Sequence, residues 1–280
     1  MSNFKAFLLM GLLSILLVLL GNAIGGQTGA LIFLLISFAL NFYTYYNSDK
    51  VAIKMTNSKP ISEEQAPQLY AMVRNLADRA GLPMPRLYLT PSPQPNAFAT
   101  GRNPENSAVA VTEGLIKMLN REELEGVLAH ELAHIKNRDV LVGTIAASMA
   151  GAITMIANML QWTAFLGGFG GNNEQGNNPF GLLFVAILSS LAATIIQLAI
   201  SRSREYGADA EGAAIAGNPH GLANALLKLE EAARQIRMEK ANPAASHLFI
   251  VNPLAGGSIT RLFSTHPPIK ERVERLKQMA

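Results

Sequence analysis

The sequence predicts a mainly α membrane protein, with four transmembrane helices and a soluble α+β part that holds a small sheet. Three observations carry that expectation. Charged residues make up 15% of the 280 and mean hydropathy is +0.21, whereas soluble proteins carry about 25% charged residues. Four apolar runs come in two pairs, 4–20 with 30–46 and 140–166 with 180–200, each near the length that crosses about 30 Å of hydrocarbon. The remaining segments alternate amphipathic helical periods with short β-like runs. The chain therefore divides into a first transmembrane hairpin (1–48), the first part of a soluble domain (49–139), a second hairpin (140–200) and the second part of that domain (201–280).

Taken in order, the first pair of runs is separated by a Gly-rich pause, GNAIGGQTGA, and Tyr43, Tyr45 and Tyr46 suit a membrane interface. Gly21-Asn22-Ala23 has the small residues of a signal-peptide cleavage site, but a second apolar run follows at once, which favours an uncleaved hairpin. Ser62-Glu63-Glu64 is expected to open a helix through Leu69, Met72, Val73 and Leu76 that stops near Gly81 and Pro83. Residues 86–90, RLYLT, read as a strand, and residues 96–101 and 107–112 as a strand pair around a polar turn. Asn96, Ala97, Phe98 and Ala99 would then form an edge to which an extended peptide adds through main-chain hydrogen bonds. The second pair of runs encloses a Gly/Asn linker, and Trp162 lies near the end of its first run. Residues 201–217 continue as a helix that Asn218-Pro219 breaks, 221–240 form another, and STHPP (264–268) precedes a terminal one.

The chemistry concentrates in 120–139, NREELEGVLAHELAHIKNRD. Asn120 with Glu123 is a capping-box start, and Leu124, Leu128, Leu132 and Ile135, with Val127 at the edge, make one apolar stripe. On such a helix His130 and His134 stand one turn apart, so both imidazoles reach one ion, and Glu131 faces a water on it. This is the H-E-x-x-H pattern of zinc hydrolases, in which the ion lowers the pKa of a bound water to about 7 and the glutamate takes its proton. The chain has no cysteine, so thiolate ligands and disulfides are excluded and further ligands must be His, Asp or Glu. Glu205, Asp209, His220, His247 and His266 are all chemically able. The third and fourth spans must return to one membrane face, which brings the helix before 140 beside the helix after 200 and favours Glu205; Ala208, Gly212 and Ala213 would permit the approach.

Four motifs in order, NAFATG (96–101), HELAH (130–134), SRSREYGAD (201–209) and THPP (265–268), make the whole chain resemble the HtpX-type membrane zinc proteases, relatives of the CAAX prenyl proteases. The resemblance implies a zincin-like catalytic domain split by the second hairpin, one Zn²⁺ held by His130, His134 and Glu205, and Glu131 as general base. It also implies substrates that are unfolded or damaged membrane proteins, cleaved in quality control. Two further roles are expected from residue type and place. His266, stiffened by two prolines, would stabilise the oxyanion, and Asp209, one turn from Glu205, would orient a histidine ligand.

Two other classes compete. A metal-ion transporter would explain histidines close to hydrophobic spans, but its site would sit near the bilayer midplane, and no charge interrupts the third or fourth span. A non-catalytic membrane scaffold would not need Glu131. The 23 Lys and Arg against 20 Asp and Glu are not gathered into a stripe, which argues against nucleic acid. Instead Lys5, Lys50, Lys54, Lys59, Lys136, Arg138, Arg202 and Arg204 flank the spans, and the two intervening loops have neither Lys nor Arg. The positive-inside rule then places both termini and both soluble segments on the cytoplasmic side, and the family resemblance implies that the membrane is a bacterial inner membrane.

Overall fold

The computed structural model describes residues 2–165, 202–236, 243–251 and 267–279. Helix α1 (Ser2–Tyr46) doubles back at Gly25 and Gly26, where Gly26 takes a left-handed φ of 59° that a side chain would disfavour. The expected Gly-rich pause thus shrinks to two residues. Its other glycines serve packing: Gly21 and Gly29 face each other so closely that a Cβ on either would strike the other's carbonyl. Lower down, Asn41 Nδ2 donates to Met10 O at 3.2 Å and to Ser14 Oγ at 2.8 Å, tying the arms together. Phe7, Leu8, Ile15, Leu35, Phe38 and Phe42 are exposed on the outer faces of the arms. Among the described residues one helix, Gly25–Tyr46, is long and apolar enough to cross a membrane, and Ala6–Leu19 and Val140–Thr154 are shorter apolar helices. The run at 180–200 and the linker before it lie outside the described residues.

A short helix, α2 (Ser48–Met55), and a two-residue strand, β1 (Lys59–Pro60), open the next part. Helix α3 spans Pro67–Ala80 and begins five residues later than Ser62 suggests. Ser62 instead forms a turn with Gln65, and Ala66, restricted by the following proline, leaves the helical region at φ −141°. Strands β2 (Arg86–Thr90), β3 (Ala97–Gly101) and β4 (Ser107–Thr112) complete a sheet of order β1-β2-β4-β3. Strands β2 and β4 are parallel, and β3 pairs antiparallel with β4 with Phe98 opposite Ala110. Strand β3 is therefore an edge of this sheet.

Helix α4 (Glu113–Met118) starts at Thr112, whose side chain accepts from Leu115 N, and leads into α5 (Arg121–Lys136). After α5 come α6 (Val140–Phe165), α7 (Arg202–Ala216), α8 (Pro219–Gln235) and α9 (Ile269–Lys277). The expected helix 221–240 starts two residues earlier and ends at Gln235. Pro219 fits the first turn, where no N–H is needed, and the Asn218 side chain caps it by accepting from His220 N. Helix α5 is central: the sheet edge β3, α3, α7 and α8 all pack on it. Its stripe of Leu124, Val127, Leu128, Leu132 and Ile135 is buried as expected, but so are Ala129, His130, Glu131 and Ala133. The helix is thus enclosed on more than one face, which a single apolar stripe does not reveal.

Candidate metal centre

Helix α5 begins with the capping box read from sequence: Asn120 Oδ1 accepts from Glu123 N at 2.9 Å and Glu123 Oε2 accepts from Asn120 N at 3.0 Å. Two N-terminal donors are thereby satisfied, which fixes the register of the helix that carries His130, Glu131 and His134. The two imidazoles stand edge to face with ring centroids 4.7 Å apart. Helix α7 crosses α5 at this level. A Cβ built on Gly212 would lie 2.9 Å from the Cα of His130, so glycine there is what allows the close approach, with buried Ala208 and Ala213 on either side.

That approach delivers Glu205. Its Oε1 lies 3.6 Å from His134 Nε2 and its Oε2 lies 3.9 Å from His130 Nε2. One donor atom from each of His130, His134 and Glu205 falls within 4.8 Å of the others. The 3.6 and 3.9 Å separations are too long for good hydrogen bonds and sit just beyond the edge of about 3.4 Å expected for a tetrahedron with metal–ligand distances near 2.1 Å. Two imidazoles and a carboxylate without sulfur therefore fit a divalent ion.

Each histidine has a carboxylate behind it. His130, 1% exposed, places Nδ1 3.1 Å from Asp209 Oδ1, a placement that favours the proton on Nδ1 and the lone pair on Nε2. Behind His134, Nδ1 lies 3.6 Å from Asp139 Oδ2, and Asp139 in turn lies 3.9 Å from Arg204 Nε. Arg138 makes that placement possible by taking a left-handed φ of 58°, which turns the chain so that Asp139 N donates back to His134 O at 3.0 Å. The two imidazoles are tuned in opposite senses. Burial, with the charges of Arg272 and His134, pushes the His130 pKa down to about 4 against the pull of Asp209. Burial also opposes charge on His134, but the carboxylates of Asp139, Glu205 and Glu131 outweigh it and lift that pKa to about 9.

Arg272, on α9, was not singled out from the sequence. It is 0% exposed and grips Asp209 with both arms, Nε to Oδ2 at 2.8 Å and Nη2 to Oδ1 at 2.6 Å. Nη2 also lies 3.3 Å from His130 Nε2, and Nη1 lies 3.7 Å from Glu205 Oε2. Burial works against the charge of Asp209, but the adjoining guanidinium and His130 hold its pKa down at about 2. One signal was present: Arg272 sits on the stripe Ile269, Val273, Leu276, where a charge needs a buried partner.

The remaining candidates separate. His220 is exposed at the start of α8, away from the cluster. His266 and the side chain of His247 lie outside the described residues. Strand β3, with Asn96 just before it, packs on α5.

A buried glutamate between two histidines, with a carboxylate delivered from a second helix, is the arrangement of a metal-dependent hydrolase. The comparisons with known proteins agree: the family described as Peptidase family M48 matches residues 63–280. The chain belongs to that family, within its HtpX-type members, and is a metallopeptidase. It is 68% identical over 281 residues to the "Protease HtpX homolog" of Pelotomaculum thermopropionicum, covering 100% of both chains. To the "Protease HtpX homolog" of Thermococcus kodakarensis it is 53% identical over 272 residues, covering 97% of this chain and 94% of the other. The crystal structure of S. mikatae Ste24p superimposes with a TM-score of 0.52 at 19% identity, over 94% of this chain and 62% of that one. That likeness establishes a shared fold.

Proposed function

We propose that the chain is an integral-membrane zinc endopeptidase that hydrolyses misfolded or damaged membrane proteins at the cytoplasmic face of the bacterial inner membrane. The convergence of His130, His134 and Glu205 on one point carries the reading. These three residues would hold Zn²⁺, and when bound the ion supplies Lewis-acid polarisation of water and of the scissile carbonyl. Glu131 takes the proton of the attacking water and returns it to the leaving amine. Asp209 and Arg272 fix the tautomer of His130, and His266 stabilises the oxyanion. The reading divides the chain as four membrane spans with one catalytic domain assembled from 49–139 and 201–280. The exposed apolar faces of α1 and the Lys and Arg flanking the spans support it.

The ligand set is tested by zinc content. After dialysis, Glu205→Ala is expected to keep less than about a tenth of the zinc per chain that the unaltered protein keeps, because a three-ligand site loses its only carboxylate. Full zinc in that variant removes Glu205 from the set and moves His266 to the front. Hydrolysis of unfolded casein in detergent, dependent on added zinc, tests the activity itself.

Proton release offers a second measurement. With a pKa raised to about 9, His134 is protonated at pH 7.5, whereas His130 at about 4 is already neutral. Since only neutral imidazole binds a metal, zinc must expel the His134 proton in addition to any lost by the water it binds. Affinity should thus rise by at least about tenfold per pH unit between pH 7.5 and 9. Calorimetry in two buffers of different ionisation enthalpy checks this; identical heats would contradict it.

A further inference from the structure

The edge strand β3 is not open. Thr112 N donates to Asn96 O at 3.0 Å, which sets the pairing phase: positions 96, 98 and 100 turn their main-chain groups to β4, and 97, 99 and 101 turn theirs outward. On that outward side lies the chain's own segment after the 3-10 turn Pro243–Leu248. Ile250 N donates to Ala97 O at 3.0 Å. The Asn96 carboxamide grips the next residue twice, Nδ2 donating to Val251 O at 2.6 Å and Oδ1 accepting from Val251 N at 3.2 Å. Asn96 thus behaves as an extra peptide group added to the end of the edge.

Among the described residues, these hydrogen bonds engage only main-chain atoms of Ile250 and Val251. An extended peptide of any sequence presents the same row of N–H and C=O groups. At its other end the strand is fastened, since Thr100 Oγ1 lies 2.9 Å from Thr144 Oγ1 on α6. From Ala97 to Gly101 β3 is buried throughout. A substrate can therefore add to this edge only if something leaves it, and the segment that would leave is held by three hydrogen bonds, by the buried side chains of Ile250 and Val251 and by the rings of the adjoining Phe249 and Phe98, 5.1 Å apart.

Resting on the protease reading above, with Asn96 and Ala97 in the substrate strand expected from the sequence, we propose that Ile250 and Val251 occupy this main-chain-reading edge as an internal stand-in which substrate displaces. The enzyme is latent in this state, and unfolded chains, which offer free main chain, are the partners able to open it. Folded proteins have their main-chain groups already paired and cannot compete.

The absence of cysteine allows a direct test in the full-length, zinc-loaded protein. Ala97→Cys with Ile250→Cys, oxidised to an intramolecular cross-link verified by mass, should cleave casein at least tenfold more slowly than the same protein after reduction, with zinc per chain unchanged. Equal rates in the two states overturn the proposal. Ile250→Pro supplies an independent arm: lacking the N–H that Ala97 accepts, it should lower KM for casein threefold or more at similar kcat. An unchanged or raised KM also counts against displacement. If the unaltered protein and the reduced pair cut nothing with zinc present, the protease reading fails instead.

Discussion

Glu131→Gln is expected to leave the chain folded and its zinc bound while slowing casein hydrolysis by about 10²–10⁴-fold, the usual contribution of a general base. The substitution is close to isosteric, so it leaves no cavity around a side chain that is 3% exposed. What it removes is the capacity to accept a proton. Glu131 is also close enough for its charge to be felt at His134 and Arg272, so removing that charge should lower the His134 pKa and, if anything, ease metal binding. Zinc per chain measured beside kcat therefore distinguishes this variant from Glu205→Ala, in which metal and activity fall together. Activity within threefold of the unaltered protein would remove Glu131 from the chemistry. In cells the same variant should allow misfolded membrane proteins to accumulate under heat stress; unchanged turnover would remove the quality-control role while leaving the protease intact.

Local chemistry was what the sequence made legible. The capping box at Asn120 and Glu123, the stripe from Leu124 to Ile135, and the pairing of 97–101 with 107–112 each depend on residues a few positions apart, and the structure contains all three. The approach of α7 to α5 was also readable, because Gly212 is needed only where another backbone comes close. Less legible were features set by a competing neighbour. The start of α3 moved from Ser62 to Pro67 because a proline restrains Ala66. Asp139 reaches His134 only through the left-handed Arg138, a conformation that no side-chain pattern announces. Arg272 is separated from Asp209 by 63 positions, so its role depended on tertiary packing, although its place on an apolar stripe was a warning. The covering of β3 by Ile250 and Val251 was likewise invisible, since main-chain pairing leaves no mark in side-chain identity.

Arg272→Met is expected to destabilise the protein by about 3–5 kcal/mol, because it strands a buried carboxylate without its cation. The loss is large for this reason and not for the contact alone. Asp209 is 1% exposed, and its low pKa of about 2 depends on the adjoining guanidinium. The sign of the pH dependence follows from that depression. Stability from ionised Asp209 is present above its unfolded pKa near 4 and lost as pH falls through about 2, so at neutral pH the unaltered protein has the full benefit. In Arg272→Met burial is no longer opposed by the guanidinium, the Asp209 pKa rises, and this acid limb should move towards neutrality. Asp209→Asn combined with Arg272→Met removes both charges and should recover part of the stability, because no uncompensated ion is left. Thermal unfolding in detergent across pH 4–8 would measure both. If the double variant is no more stable than Arg272→Met alone, the penalty is not one of stranded charge. Zinc content separates positioning from stability: Asp209 orients His130 Nδ1 at 3.1 Å, and disturbing such a partner weakens metal binding by about 10–100-fold. Arg272→Met should lose zinc at chelator concentrations that Glu131→Gln withstands, even at temperatures where both remain folded.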